Sequence, residues 1–352
     1  VDGGPPADLL LGPRKGRRPP LRPGSRHGQA ARCAGGAGGE RHEGDADRSG
    51  CLLGIGDDAA LFRASPGEHL AVCTDTLVEG VHFPAGTHPG AIGYKALAVN
   101  PSDLAAMGAE PAWFLLSLAL PSADEAWLDD FAQGLAALAR DAAILLAGGD
   151  TTSGPLTVTV TAAGRLPACT ALTRHGALAG DDVYVSGLPG RAARALHDLE
   201  SGVTPPAPCL RALEFPEPRL ALGRSLRGVA SACIDVSDGL VADLAHILER
   251  SSAGAVLEAE SLPSGDGLDD LPDEQRWRFQ LAGGDDYELC FTAAREQRGR
   301  IDAIARECGL PITRIGTVTA AAGLVIQRGD GSRLELAAGG YQHFDASPGA
   351  GS

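Results

Sequence analysis

Lysine is nearly missing from this chain: of 30 Lys and Arg residues, only Lys15 and Lys95 are lysines. The bias is read first as compositional and second as a preference for arginine in phosphate recognition. The eight cysteines (Cys33, Cys51, Cys73, Cys169, Cys209, Cys233, Cys290 and Cys308) include no Cys-x-x-Cys pair and no zinc-type spacing. Several stand in apolar, strand-like runs, where a reduced cysteine acts as a small hydrophobe. The N-terminus lacks the charged start, apolar stretch and cleavage site of a secretory signal, so a cytoplasmic location is expected. No apolar run is long enough to span a bilayer, which removes the membrane as an expected partner. A Walker A glycine–lysine loop is missing, and so are the H-R-D and D-F-G signatures, so neither large class of nucleotide-dependent phosphotransferase fits. Positive charge is also short. A formal net charge of -15 argues against sequence-independent nucleic-acid binding, which needs a basic footprint. An acidic protein can still bind phosphates through bridging metals.

What is abundant is aspartate, in clusters at the ends of apolar segments. Gly54-Ile55-Gly56-Asp57-Asp58 sets two adjacent carboxylates behind small hinge residues. Thr74-Asp75-Thr76, Ser102-Asp103, Gly148-Gly149-Asp150-Thr151-Thr152, Asp235-Val236-Ser237-Asp238-Gly239 and Gly283-Gly284-Asp285-Asp286-Tyr287-Glu288 follow. Adjacent carboxylates repel unless a cation neutralises them, and hard cations such as Mg²⁺ prefer oxygen ligands. Any one doublet taken alone reads as an acidic surface turn.

The 352 residues, 44% of them hydrophobic, are enough for about two domains. Residues 1–50, rich in Gly, Pro and Arg and without periodicity, are expected to be disordered or a non-native extension. Residues 51–168 and 176–345 are the expected domains, separated by a turn-rich stretch from Leu166 to Gly180. Leu70–Thr74 reads as a buried strand ending at Asp75. Ala91 to Met107 reads as helix, with Pro101 either inside it or at the first position of a new helix capped by Asn100. Ser122-Ala123-Asp124-Glu125 has the capping-box pattern. Trp127, Phe131, Leu135 and Leu138 follow at helical spacing. In the second half, Asp182–Ser186 and Ala232–Val236 read as strands, and Ser237 as the cap of a helix with Leu240, Leu244 and Leu248 on one face. Gly187 and Gly190 fit a plain strand-to-helix turn better than a phosphate cradle. Strands alternate with helices throughout, so the class is α/β or α+β.

Dispersed aspartates suit multi-metal phosphate chemistry better than a compact calcium loop or a two-carboxylate glycosidase. The residues alone lead no further than a phosphate-handling α/β protein that binds several metals.

The ordered motifs then add a resemblance. Gly54–Phe62, Cys73–Leu77 with His82, Tyr94–Asn100 with Ser102–Gly108, Gly148–Thr152, Leu172-Thr173-Arg174, Ile234–Leu240 and Tyr287–Phe291 together resemble the bacterial thiamine-monophosphate kinase family. That family sits within the superfamily of aminoimidazole ribonucleotide synthetase and selenophosphate synthetase. The resemblance runs from about Leu52 to Phe344. It implies two α/β domains, with the N-terminal domains of a homodimer pairing into a shared β-barrel. It also implies ATP-dependent phosphorylation of thiamine monophosphate to thiamine diphosphate by direct in-line transfer, with several Mg²⁺ ions. By motif position, the implied metal ligands are Asp58, Cys73, Thr74, Asp75, Asp103, Asp150, Asp235 and Asp238. Gly149, Asp150, Arg174 and Ser237 would contact ATP, and His82, Asp285 and Tyr341 would contact thiamine monophosphate. No acid, base or nucleophile is implied. The chain departs from the family in having no Gly-Glu-Phe helix start, in Pro101 where Leu is usual, and in Asp285 where Glu is usual. The alternatives are a superfamily relative acting on another acceptor and a non-catalytic nucleotide- or metal-binding protein.

Overall fold

The computed structural model describes residues 50–335, except 54, 56–59 and 64. Asp58, Tyr341 and the segment 1–49 lie outside these described residues. The chain opens with a short antiparallel pair, β1 (Cys51–Leu53) and β2 (Leu61–Phe62). The first domain is then built from β3 (Glu68–Val78), α1 (Pro89–Ala106), β4 (Glu110–Leu120), α2 (Glu125–Asp141), β5 (Leu145–Ser153) and β6 (Thr157–Pro167). Its four strands form one sheet in the order β3-β6-β4-β5, antiparallel except for the β4–β5 pair. The second domain comprises β7 (Asp182–Ser186), α3 (Arg191–Glu200), α4 (Ala207–Glu214), α5 (Leu220–Ser225), β8 (Ala232–Val236), α6 (Leu240–Ser251), β9 (Gly254–Glu258), α7 (Asp273–Ala282), β10 (Glu288–Ala293), α8 (Arg298–Cys308), β11 (Ile312–Thr319) and β12 (Gly323–Gln327). Its sheet runs β12-β9-β11-β7-β10-β8 and is antiparallel except where β12 meets β9. The class is mixed α/β in two domains. No helix among the described residues is long and apolar enough to cross a membrane.

Helix α1 joins the two halves. His88 caps it by accepting a hydrogen bond from the Gly90 amide, and Pro89 takes the first turn, where its missing N–H costs nothing. Most of its residues are buried, because one side packs on the first sheet and α2 while the other meets the second domain. Its last residues, Ala105 and Ala106, belong to the same apolar cluster as Leu222, Phe291 and Ile301 of the second domain. The helix passes through Pro101 without a break, so no new helix begins at Asn100.

Three local expectations are corrected. β3 is neither buried nor finished at Asp75: it runs on to Val78, and Leu70 and Val72 are 54% and 57% exposed. Its side chains alternate, with Cys73, Asp75 and Leu77 turned to the core and Leu70, Val72, Thr74 and Thr76 turned to the sheet's outer face. Helix α2 is capped by Asp124, whose carboxylate accepts from the Trp127 amide at 3.0 Å, so Ser122 is not the cap. Gly239 and not Ser237 stands at the N-cap of α6. There the free amides find a different partner: Asp243 Oδ2 accepts from the backbone N–H of Ser237, Asp238 and Gly239 at 3.0, 3.0 and 3.2 Å. The Gly187–Gly190 segment is, as expected, a plain strand-to-helix turn, and its Gly190 amide donates to the Asp286 carboxylate at 2.8 Å.

Candidate active site

A cleft of about 1200 Å³ lies between the domains, lined among others by Asp75, His82, Asp103, Asp235, Ser237, Asp238, Asp285 and Tyr287. Four elements deliver these groups. Asp75 projects from the inner face of β3 and Asp103 from α1, two residues beyond Pro101. Asp235 and Asp238 come from the end of β8 and the loop after it. Asp285 comes from the loop before β10. The loops of the second domain are stitched together, with Asp285 N–H donating to Ser237 O at 2.9 Å and Tyr287 N–H to Val236 O at 2.8 Å. A Cβ at Gly284 would lie 2.4 Å from Ser237 O, so only glycine permits this approach.

Burial and mutual repulsion dominate the electrostatics of the carboxylates. Burial, and then the charge of Asp235, pushes Asp75 up to about 6. Burial, followed by Asp235 and Asp75, pushes Asp103 up to about 8. Asp235 is also raised, chiefly by burial, while the Ser102 hydroxyl donating to Oδ2 at 2.8 Å opposes the shift. Arg174 lowers both Asp103 and Asp235 through its charge, which sets a cation near the cluster. Asp75 Oδ2 is buried with no hydrogen-bond partner. As the side chains stand, no three His, Cys, Asp or Glu residues among those described are close enough to hold an ion. The donor chemistry nevertheless suits a hard divalent cation: oxygen ligands, an orphaned buried carboxylate oxygen, and carboxylates that resist ionisation together.

The remaining predicted residues fall in different places. Cys73 faces inward, its thiol donating to Asn100 O at 3.4 Å. Thr74 faces outward and hydrogen-bonds Val160 O and the Thr161 hydroxyl, one strand across. His82 is half-buried, lines the cleft and accepts the Val78 amide at Nδ1. Gly149 and Asp150 are not brought to the cluster. Asp75 registers with Val160, Leu116 and Gly149, and Asp150 lies in the adjacent row with Thr76, Thr159 and Ser117. Asp150 is therefore three strands from β3 and on the sheet's other face. At Gly149 a Cβ would collide with Leu116 O at 1.9 Å, so packing alone demands glycine there.

Two side chains behind the cleft were not singled out as site residues by sequence reasoning. Asp243 holds the loop amides described above. Lys95, buried in α1, donates to Asp285 Oδ2 at 2.9 Å and to His82 O at 3.4 Å. Two signals pointed to Lys95: its rarity in a chain whose cations are otherwise almost all arginine, and its place inside the Tyr94–Asn100 motif.

The family model for the N-terminal domain of AIR synthase related proteins matches residues 56–166, and the model for the C-terminal domain matches residues 179–329. The thiamine-monophosphate kinase of Salmonella typhimurium is 45% identical over 298 residues, spanning 83% of this chain and 91% of that protein. This chain belongs to the thiamine-monophosphate kinase family. Solved structures agree. The family member from Stenotrophomonas maltophilia K279a is 47% identical with a TM-score of 0.77, covering 82% of this chain and 93% of that one. A structure described as AaThiL complexed with AMPPCP and TMP is 31% identical with a TM-score of 0.70, covering 82% and 92% of the two chains.

Proposed function

We propose that this chain transfers the γ-phosphoryl group of ATP to the phosphate of thiamine monophosphate, giving thiamine diphosphate by direct in-line displacement. The observation that carries the reading is the interdomain cleft, into which the two domains bring three mutually repelling carboxylates, in a chain so similar to enzymes of this name. The relative solved with AMPPCP and TMP supports both substrates. The acceptor is a phosphate monoester with a second pKa of about 6, already mostly dianionic at neutral pH, so the reaction needs no general base. The two anions must instead be held together against repulsion. Asp75, Asp103 and Asp235, with Asp238 beside them, are the residues that would hold Mg²⁺. When bound, that ion supplies the charge neutralisation that phosphoryl transfer requires. Asp58 is also proposed as a ligand. Arg174 supplies fixed positive charge next to the cluster, and the Ser237 loop offers further contacts to ATP. His82 and Asp285 line the part of the cleft assigned to thiamine monophosphate, and Tyr341 is proposed to join them.

A homodimer is proposed through the outer face of the first sheet, where Leu70, Val72 and Leu115 are exposed. Pairing there would close the two sheets into a shared barrel. It would also give Asp150 a role, because from that face the residue serves the site of the second chain. Coupled assay of the purified protein with ATP, Mg²⁺ and thiamine monophosphate tests the activity. Formation of thiamine diphosphate is the expected result, and ATP turnover only with an amide or selenide acceptor would overturn it.

A further inference from the structure

We infer that Lys95 is a positioning residue for the acceptor half of the cleft, acting across the domain boundary by fixing Asp285 and the His82 loop together. The inference rests on the thiamine-monophosphate reading given above. Lys95 does not itself line the cleft: its side chain is 4% exposed, and with Phe83, Ile92 and Leu213 it borders a separate small cavity behind the wall. A buried ammonium is costly unless fully paired, and here the pairing is specific. Its Nζ reaches Asp285 Oδ2 in the second domain at 2.9 Å and the carbonyl of His82 in the first at 3.4 Å. The other Asp285 oxygen accepts from the Tyr287 hydroxyl at 3.0 Å.

Backbone geometry shows that this arrangement is imposed. Asp285 and Tyr287 both hold left-handed φ angles, 66° and 51°, which non-glycine residues adopt only when their surroundings compel them. The residue between them, Asp286, is tied to the Gly190 amide, so the loop is anchored on one side by its own domain and on the other by Lys95. One flexible point charge thus sets the spacing of two cleft walls carried by different domains. Arginine, with its wider planar head, cannot meet one carboxylate oxygen and one carbonyl in the same geometry.

The test compares the parent protein with Lys95→Met, Asp285→Asn, the double variant and Lys95→Arg, reading steady-state constants for both substrates and melting temperature. Lys95→Met should raise KM for thiamine monophosphate by about 10-fold or more, with KM for ATP changed by less than about twofold, because only the acceptor wall loses its placement. The double variant should be no worse than the poorer single one, the mark of residues that act as a pair. Equal rises in both KM values, unchanged kinetics with only a lower melting temperature, or full additivity would each overturn the inference. If Lys95→Met does not fold, Lys95→Arg decides: it keeps the charge, so a rise in KM for thiamine monophosphate alone supports positioning and an unchanged KM refutes it. If the parent protein does not phosphorylate thiamine monophosphate, the functional reading fails on its own. The pairing is then read from melting temperatures, where additive losses in the double variant would refute it.

Discussion

A buried carboxylate with an oxygen that accepts no hydrogen bond, as at Asp75, is destabilising when ionised unless a cation accompanies it. Asp75 and Asp103 have folded pKa values raised to about 6 and about 8, above the ordinary 3.8. Their contribution to stability is present in full below the ordinary value and is lost as pH rises through about 6 and then about 8. Metal-free protein should therefore melt at progressively lower temperature as pH rises from the ordinary 3.8 to about 8, and Mg²⁺ should reduce the slope by compensating the ionised groups. Asp103→Asn, neutral at every pH, should raise the metal-free melting temperature at the alkaline end; a flat profile for the parent protein would contradict the account. In the assay, Asp75→Asn should lower turnover by at least ~10²-fold, the scale for losing one preorganised electrostatic contact in a transition state. Parent-level turnover under limiting Mg²⁺ would remove Asp75 from the site. Much at this scale was legible in sequence. Asp75, Asp103, Asp235 and Asp238 were visible as aspartates ending apolar runs, and the structure gathers them. Lys95 was not, because whether a lysine is buried depends on a partner 190 residues away.

Among the elements, strands buried on both faces were read with their bounds intact. Asp182–Ser186 and Ala232–Val236 have apolar centres and are buried at every position, because both sides of their sheet are covered. β3 was misread for a related reason: apolar residues facing outward at Leu70 and Val72 look the same in sequence as residues facing a core. The α6 start was misread because its amides are served from Asp243, within the helix, while the residue at the N-cap, Gly239, has no side chain. Asp243→Ala would leave three donors unpaired, and the protein should lose about 1–3 kcal/mol in denaturant unfolding. An unchanged midpoint would show that water replaces the carboxylate. Pro101 is the opposite case. It interrupts the hydrogen bonding of α1 at a buried turn, and an interior proline costs ~3 kcal/mol. Pro101→Leu should raise the melting temperature, with part of that gain offset by repacking; a fall would mean that the ring's packing outweighs the lost bond.

For the whole molecule, the proposed dimer makes two measurable demands. Val72→Asp places a charge in the exposed apolar face of the first sheet and should shift light scattering from dimer to monomer; a parent protein that is an active monomer at micromolar concentration would exclude the dimer. Asp75→Asn and Asp150→Asn should each be inactive alone. After joint refolding, a twofold assembly regains about a quarter of the parent sites, since half the dimers carry one intact site. No recovery would mean that Asp150 does not act across the interface. Another consequence comes from the end of α1, where Ala105 and Ala106 of the first domain sit in the apolar cluster of the second. The turn-rich stretch after Pro167 separates two families of motifs but not two cooperative units. Calorimetry should therefore record one endotherm for both domains, and cleavage within residues 168–181 should leave fragments that stay associated, each unable to hold its fold without the other.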